Sequence, residues 1–196
     1  MASRDDAERV HPETVAAWRD WFEQHGDRPD GVWLVTWRKA AGRPDLTYDQ
    51  AVEVALCYGW VDSTPRRLDD QRTMLWFAPR KPRSGWSRPN KQRIAQLQAA
   101  GLVRPRGARA VQAAQADGSW SLLDAVEDLL VPDDLAAALD EAGGRTQWDA
   151  FPPSTRRGVL EWIVQAKRPE TRARRVTETA QQAARGERAN QWTPKA

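Results

Sequence analysis

Residues 59–62 read GWVD and combine residue types that could bind or act on a small molecule. On a strand, residues two apart point to the same face, so Trp60 and Asp62 would form an aromatic surface beside a carboxylate. Such a surface suits a cationic or hydrogen-bonding ligand. The alternative is structural, with Asp62 pairing with Arg66 or Arg80 to fix a hairpin. Asp62 is also the candidate catalytic residue, because a carboxylate can transfer protons.

A second candidate segment, residues 77–87, reads FAPRKPRSGWS. Arg80, Lys81 and Arg83 could hold a carboxylate or phosphate. Ser87 opens a predicted helix, whose N-terminal amides also favour an anion. The alternative is a structural loop whose arginines bridge to acidic residues in the C-terminal half. The predicted ligand-binding residues are Trp37, Trp60, Asp62, Arg80, Lys81, Ser84, Trp86, Ser87 and Asn90.

A third basic segment, AKRPETRARR, covers residues 166–175. On a helix, Arg168, Arg172 and Arg175 share one face at spacings of four and seven residues. The predicted basic surface consists of Lys167, Arg168, Arg172 and Arg175. This surface is either solvated and internally paired, or a stripe that binds phosphate.

Other chemistries find little support in the sequence. It lacks the GxSxG, P-loop and GxGxxG motifs. Cys57 falls at the end of a predicted helix, where a thiolate is disfavoured, and it is expected to be a buried structural thiol. His11 and His25 have no cysteine cluster near them, so no metal site and no cofactor are predicted.

Composition limits the class of protein. The 196 residues are 40% hydrophobic and 29% charged, which is typical of a globular chain. No apolar run approaches the ~20 residues that a membrane-spanning helix needs. The N-terminus is rich in charge and lacks the apolar segment of a secretory signal, and Cys57 is the single cysteine. These features predict a cytoplasmic location.

Charge and tryptophan are both unusual here. Residues 63–109 carry twelve Lys or Arg against two Asp, whereas residues 117–161 carry ten acidic residues against three Arg. Such segregation predicts an anionic partner or mutual neutralisation within the fold. The eleven tryptophans exceed what a core of this size needs, which indicates an aromatic-lined surface.

The periodicity predicts helices and strands in the first half. A helix over residues 12–25 would be ended by Gly26 in the left-handed conformation. Residues 31–39 predict a strand that is apolar on both faces and therefore central. Thr47 and Gln50 have the spacing of a capping box. Residues 60–66 and 72–78 predict a hairpin.

The second half shows helical patterns only. From Trp120 onward no strand is predicted, and Ser154 is expected to cap a helix. The predicted fold class is therefore α+β, with a small, mainly antiparallel sheet followed by an all-helical C-terminal half. The predicted domains are residues 1–118, a Trp-rich α+β domain, and residues 119–196, a helical region.

Three of these segments together resemble the bacterial YdeI/OmpD-associated (bacteriocin-protection) family. They are ALCYGWVDS at residues 55–63, FAPRKPRSGWSRPNK at residues 77–91 and AKRPETRARR at residues 166–175. The resemblance extends over roughly residues 12–186. It implies protection against antimicrobial peptides, as in some members. It implies no particular reaction and no catalytic residue.

These observations favour a cytoplasmic binding or protection protein. It would recognise or sequester a small aromatic or anionic molecule, or a toxin- or antibiotic-like peptide, through a pocket lined by Trp and Arg. One alternative is an enzyme that acts on a small metabolite at the same pocket. The other is a nucleic-acid-binding protein that uses the basic residues within 63–109 and 162–175.

Overall fold

A mixed four-stranded sheet organises the first half of the chain. The computed structural model describes residues 4–43 and 46–190, and within them the fold is α+β, as predicted. The strands are β1 (Arg9–Val10), β2 (Val32–Trp37), β3 (Trp60–Arg67) and β4 (Arg72–Pro79). Their order is β1-β2-β4-β3, so β2 is an inner strand, as its two apolar faces predicted.

The sheet is mainly antiparallel, but β1 pairs with β2 in parallel. Sequence analysis missed β1 because a strand of two residues is too short to show an alternating pattern. β2 is also shorter than the predicted residues 31–39. The predicted hairpin is confirmed, and each of its strands extends one residue further than expected.

The two faces of the sheet pack differently. The strand register sets Leu34 opposite Leu75 and Thr36 opposite Thr73, so these four side chains share one face. The other face carries a separate apolar cluster of Trp33, Val35, Met74 and Trp76.

Helices α1 (Val15–His25) and α2 (Tyr48–Cys57) pack on the face of Leu34 and Leu75. The core between helices and sheet is aromatic: Trp18 and Phe22 from α1 meet Phe77 and Trp60, and all four are at most 1% exposed. Most tryptophans of the first half are therefore core residues.

The ends of these two helices show one confirmed and one wrong prediction. Thr47 and Gln50 form the predicted capping box, which fixes where α2 begins. Gly26 ends α1 but is not left-handed, since its φ is −62°. A Cβ at this position would lie 2.6 Å from the carbonyl oxygen of Phe22, so close packing rather than positive φ requires glycine.

The remaining helices are α3 (Arg88–Ala99), α4 (Pro105–Ala116), α5 (Asp124–Glu127), α6 (Asp133–Glu141), α7 (Arg145–Ala150), α8 (Pro153–Val164) and α9 (Pro169–Ala184). No strand lies within residues 118–190, as predicted. α8 begins at Pro153 with Pro152 as its N-cap, so Ser154 lies inside the helix rather than capping it. Proline takes the first turn here because its fixed φ suits that position.

The described residues form two compact units. The first contains the residues up to Ser84 and Pro89–Asp117, and the second contains Gly85–Arg88 and the residues from Gly118 onward. The second unit has its own core, in which Leu135, Leu139 and Trp148 are fully buried. Across the described chain, none of the helices combines the length and apolarity required to span a membrane.

Candidate functional site

A pocket of about 350 Å³ lies in the first unit, at the edge between α2 and the sheet. Its volume is at the lower end of the range for small-molecule sites. The apolar residues that line it are Leu34, Ala51, Pro65, Met74 and Leu75. The polar residues that line it are Thr36, Tyr48, Asp62, Ser63 and Thr73. We call it the Asp62 pocket.

One polar end of the Asp62 pocket is a pair of side chains, Tyr48 and Asp62. The Tyr48 hydroxyl donates a hydrogen bond of 3.0 Å to Oδ2 of Asp62. Burial raises the pKa of Tyr48, and the charge and hydrogen bond of Asp62 raise it further. Tyr48 therefore stays protonated at neutral pH and acts as a donor to the carboxylate, not as a base.

A β-bulge places Asp62 and Ser63 at this end. The register shifts between Asp62, which faces Phe77, and Pro65, which faces Leu75. Three steps along β3 thus match two along β4, and the extra residue bends the strand. Bulges of this kind often redirect side chains next to functional sites.

Arg80 lies beyond the end of β4 and is electrostatically coupled to Asp62. Burial lowers the pKa of Arg80 to about 10, and the charge of Asp62 acts in the opposite direction. One guanidinium nitrogen of Arg80 donates to the hydroxyl of Ser84 at 3.4 Å, and that hydroxyl donates to the carbonyl of Lys81 at 2.8 Å. Arg80 is charged at neutral pH but is not among the residues that line the Asp62 pocket.

Arg93 forms a neighbouring polar pair on α3. It donates to Asp49 at 2.6 Å and to Oδ1 of the buried Asn90 at 3.2 Å. The charge of Arg93 lowers the pKa of Tyr48, against the larger effects of burial and of Asp62. Four predicted site residues, Asp62, Arg80, Ser84 and Asn90, therefore belong to one polar neighbourhood in the first unit. Tyr48 and Arg93, which sequence analysis missed, connect them.

The tryptophans predicted as ligand-binding residues lie elsewhere. Trp60 is fully buried, and its Nε1 donates to the carbonyl of Gly26 at 2.9 Å, so it is a core residue. Trp37 follows Val35 on the opposite face of the sheet, where its Nε1 donates to Glu13 at 2.8 Å. Trp86 belongs to the second unit and is 1% exposed, with its ring 5.0 Å from that of Trp120. No tryptophan is among the residues that line the Asp62 pocket.

Trp37 does line a second cavity, of about 490 Å³, with Glu13, Thr14 and Arg43. The guanidinium of Arg43 already lies 4.4 Å from the centre of the Trp37 ring. This cation–π contact covers the aromatic surface that a ligand would use.

The remaining predicted loop residues are more peripheral. Lys81 is exposed, and Ser87 directly precedes α3 and belongs to the second unit. The next residue, Arg88, pairs with Asp128 at 2.7 Å within that unit.

Other cations of residues 63–109 also pair with carboxylates. Arg72 pairs with Asp69 at 2.7 Å, and Arg104 pairs with Glu23 at 2.6 Å. Further pairs join Arg66 to Asp5, Arg67 to Asp70 and Arg106 to Asp27. Much of this basic charge is thus neutralised within the fold.

The predicted basic surface of residues 167–175 divides into two halves. Arg172 makes a bidentate ion pair with Asp134, at 2.7 and 2.9 Å. Arg175 donates to the carbonyl of Trp162 and lies 4.8 Å from the centre of its ring. Lys167 and Arg168 are exposed. Two of the four cations therefore hold the helices of the second unit together.

Cys57 is 3% exposed at the end of α2, and burial raises the pKa of its thiol. It is the buried thiol that the sequence predicts and is unsuited to act as a thiolate nucleophile. Within residues 4–43 and 46–190, no group of three or more His, Cys, Asp or Glu side chains is arranged to hold a metal ion.

The Asp62 pocket was only partly visible in the sequence. Thr36, Thr73 and Leu75 are ordinary strand residues, and only the register brings them together. One feature of the sequence could have pointed to Tyr48: it is a large aromatic residue directly after the N-cap of a predicted helix. In the structure its side chain is 55% exposed.

Comparisons with known families match two parts of the chain. Residues 10–110 match a domain of unknown function, DUF8412, and residues 128–186 match the family described as bacteriocin-protection, YdeI or OmpD-associated. The search of curated proteins and the search of solved structures gave no match.

The second match confirms the suspected family over part of the expected range. Of the three motifs that carried the resemblance, only AKRPETRARR lies within residues 128–186. ALCYGWVDS and FAPRKPRSGWSRPNK both lie within residues 10–110. The match is compatible with a protection-type role. The chain belongs to the DUF8412 family, whose model matches residues 10–110, and residues 128–186 are similar to the bacteriocin-protection, YdeI or OmpD-associated family.

Proposed function

We propose that this chain is a binding protein that sequesters a small molecule in the Asp62 pocket and thereby protects the cell that makes it. The observation that carries the proposal is the pocket itself: an apolar floor of Leu34 and Leu75 with a hydrogen-bonded Tyr48–Asp62 pair at one end. Small-molecule sites commonly combine a mostly apolar lining with a few placed polar groups.

The protection part of the proposal draws on the match of residues 128–186. The expected ligand is a toxin- or antibiotic-like compound with an aromatic or other apolar body, taken up in the cytoplasm. Aromatic surface for stacking is supplied by the half-exposed ring of Tyr48, not by the tryptophans.

Binding without turnover fits the pocket better than catalysis. Burial and then the charge of Asp62 raise the pKa of Tyr48, and burial raises the pKa of the Cys57 thiol, so neither is prepared to act as a base or nucleophile. Sequestration predicts that protection saturates at about one equivalent of ligand per protein chain. An enzyme would instead consume many equivalents.

The experiment compares two tryptophan variants, one that blocks the pocket and one that leaves it open. Ser63→Trp puts a large side chain at the rim of the pocket, whereas Thr64→Trp changes the next residue, which is exposed and is not among the lining residues. A library of small aromatic compounds is screened by ligand-observed NMR against the wild type and both variants. We expect hits that Ser63→Trp abolishes and Thr64→Trp retains. Hits that bind all three proteins equally, or a library without hits, would contradict the proposal.

The same pair tests protection in cells. Bacteria that produce the wild-type chain or Thr64→Trp should tolerate a higher concentration of a toxic hit than bacteria that produce Ser63→Trp. The gain should scale with the amount of protein. A gain that is independent of protein amount would favour the enzyme.

A further inference from the structure

Two of the hydroxyl groups that line the pocket, those of Tyr48 and Thr73, have their hydrogens already in use. Tyr48 donates its single hydroxyl hydrogen to Asp62 at 3.0 Å. Thr73 donates its hydroxyl hydrogen to the backbone carbonyl of Arg66 at 3.0 Å. A hydroxyl whose hydrogen is committed offers only lone pairs, and a carboxylate offers only acceptors. Asp62, Tyr48 and Thr73 therefore all present acceptors to a ligand.

The acceptors lie at opposite ends of an apolar floor. Asp62, on β3, is opposite Phe77 of β4, and Thr73 lies four residues before Phe77 on β4. Four strand residues span about 13 Å between Cα atoms. Leu75 lies midway along this span and pairs with Leu34. The pocket thus suits a ligand with an apolar middle and hydrogen-bond donors at its ends.

Charge selects which donor fits the Asp62 end. Asp62 is the only charged residue among those that line the pocket, and Arg80, which acts on it, is not among them. A ligand carboxylate placed here would face the Asp62 carboxylate and the lone pairs of Tyr48. An ammonium group would supply the donors that these oxygens lack, in a charge-assisted hydrogen bond.

We propose that the Asp62 pocket takes an organic amine, with its protonated amino group on Asp62 and its apolar body across Leu34 and Leu75. This inference rests on the proposed function, because it names the ligand class of the same pocket. It replaces the anionic ligand that the arginine-rich loop suggested from the sequence.

The test uses three compounds that share one body: 4-phenylbutylamine, 4-phenylbutan-1-ol and 4-phenylbutanoic acid. Their affinities for the wild-type chain are measured by isothermal titration calorimetry at pH 7. We expect the amine to bind at least about tenfold more tightly than the acid, since hydrogen bonds to charged groups contribute about 1.5–3 kcal/mol. The alcohol, which donates one uncharged hydrogen bond, should lie between them.

Two variants test whether Asp62 causes the preference for the amine over the acid. Asp62→Asn keeps the shape of the side chain and removes its charge, so the amine should lose its advantage over the acid. Asp70→Asn makes the same change at the turn of the same hairpin, where the carboxylate is 92% exposed, and the preference should persist. The order of affinities in the wild type stands as a test whether or not Asp62→Asn folds.

The outcomes separate the two proposals. If the acid binds as tightly as the amine, or if the amine keeps its advantage in Asp62→Asn, the amine inference is wrong while the small-molecule pocket survives. If none of the three compounds binds the wild type in a way that Ser63→Trp abolishes, the amine inference is overturned. Compounds from the library that still show the Ser63→Trp effect would then leave only the proposed function standing.

Discussion

The hydroxyl of Tyr48, in the first turn of α2, lies 3.0 Å from Oδ2 of Asp62, on β3. This hydrogen bond joins the capped start of a helix to a bulged strand, and it forms the polar end of the Asp62 pocket. It also determines which atoms a ligand meets there, because it uses the only hydrogen that either side chain has to offer.

The first prediction concerns the titration of Tyr48. Burial raises the pKa of this phenol, and the charge of Asp62 raises it further because a phenolate would be repelled. We expect Asp62→Asn to lower the pKa of Tyr48, measured by NMR of the labelled ring carbon Cζ. The chain has two tyrosines, and Tyr58 provides the control, because its hydroxyl donates to Glu23 at 2.7 Å.

The control for this titration is Glu23→Gln, which should lower the pKa of Tyr58 and leave that of Tyr48 unchanged. If the pKa of Tyr48 does not respond to Asp62→Asn, the hydrogen bond between them is not formed in solution.

The second prediction separates core tryptophans from the pocket. Trp60→Phe removes the hydrogen bond to Gly26 and leaves space in a fully buried site. We expect the free energy of unfolding to fall by about 2–4 kcal/mol, as for other large-to-small changes in cores. Trp37→Phe, at a half-buried position, should cost about 1 kcal/mol or less. Urea denaturation measures both changes.

For Trp60→Phe, the ligand affinity of the folded protein should stay within a few-fold of wild type. A stable Trp60→Phe protein that has lost ligand binding would show that Trp60 itself contacts the ligand.

The third prediction compares two glycines inside helices. A Cβ on Gly107, in α4, would lie 2.3 Å from the carbonyl oxygen of Cys57, which is backbone and cannot move aside without shifting α2. A Cβ on Gly158, in α8, would meet nothing within 4 Å. Gly107→Ala should therefore destabilise the fold by about 1–3 kcal/mol. Gly158→Ala should stabilise it by about 0.5–1 kcal/mol, through helix propensity alone.

Thermal unfolding of both glycine variants checks the packing of α4 on α2. The same sign of change in the two melting temperatures would contradict that packing.

The fourth prediction is a pH dependence in the second unit. A hydrogen bond from Arg157 to Glu127, at 3.0 Å, lowers the pKa of that carboxyl below its ordinary value. The stability that the pair contributes is thus present above the unfolded pKa of about 4.3 and is lost as the pH falls through the lower folded value. At pH 7, Arg157→Gln should lower the free energy of unfolding by about 1 kcal/mol.

Urea denaturation from pH 7 to pH 3 follows this difference, which should shrink as Glu127 becomes protonated. Arg174→Gln removes the same charge from an exposed position on α9 and should show no such trend. A constant difference between wild type and Arg157→Gln at every pH would mean that Arg157 acts through packing, not through its ion pair with Glu127.

Local signals made much of the fold predictable. The capping box of Thr47 and Gln50 and the hairpin of β3 and β4 both follow from neighbouring residues, and the structure confirms them. β1 could not be predicted, because a two-residue strand depends on the strand beside it. The prediction for Gly26 was wrong because glycine is required there by close contact with the carbonyl oxygen of Phe22, not by a positive φ.

The candidate site was harder to predict than the fold. The alternation of strand residues did place Trp60 and Asp62 on one face, but it could not show that Trp60 is covered by α1 while Asp62 reaches the edge of the sheet. Polar partners that are remote in sequence could not be predicted from local patterns. Arg93, for example, pairs with Asp49 across 44 residues.

The most direct test of an amine-binding Asp62 pocket is a methyl NMR titration. The leucine methyl groups of the wild-type chain are labelled with ¹³C, and 4-phenylbutylamine is added stepwise. We expect shifts concentrated at Leu34 and Leu75, with Leu135 and Leu139, in the core of the second unit, unmoved. Shifts that avoid Leu34 and Leu75, or no shifts at millimolar amine, would contradict it.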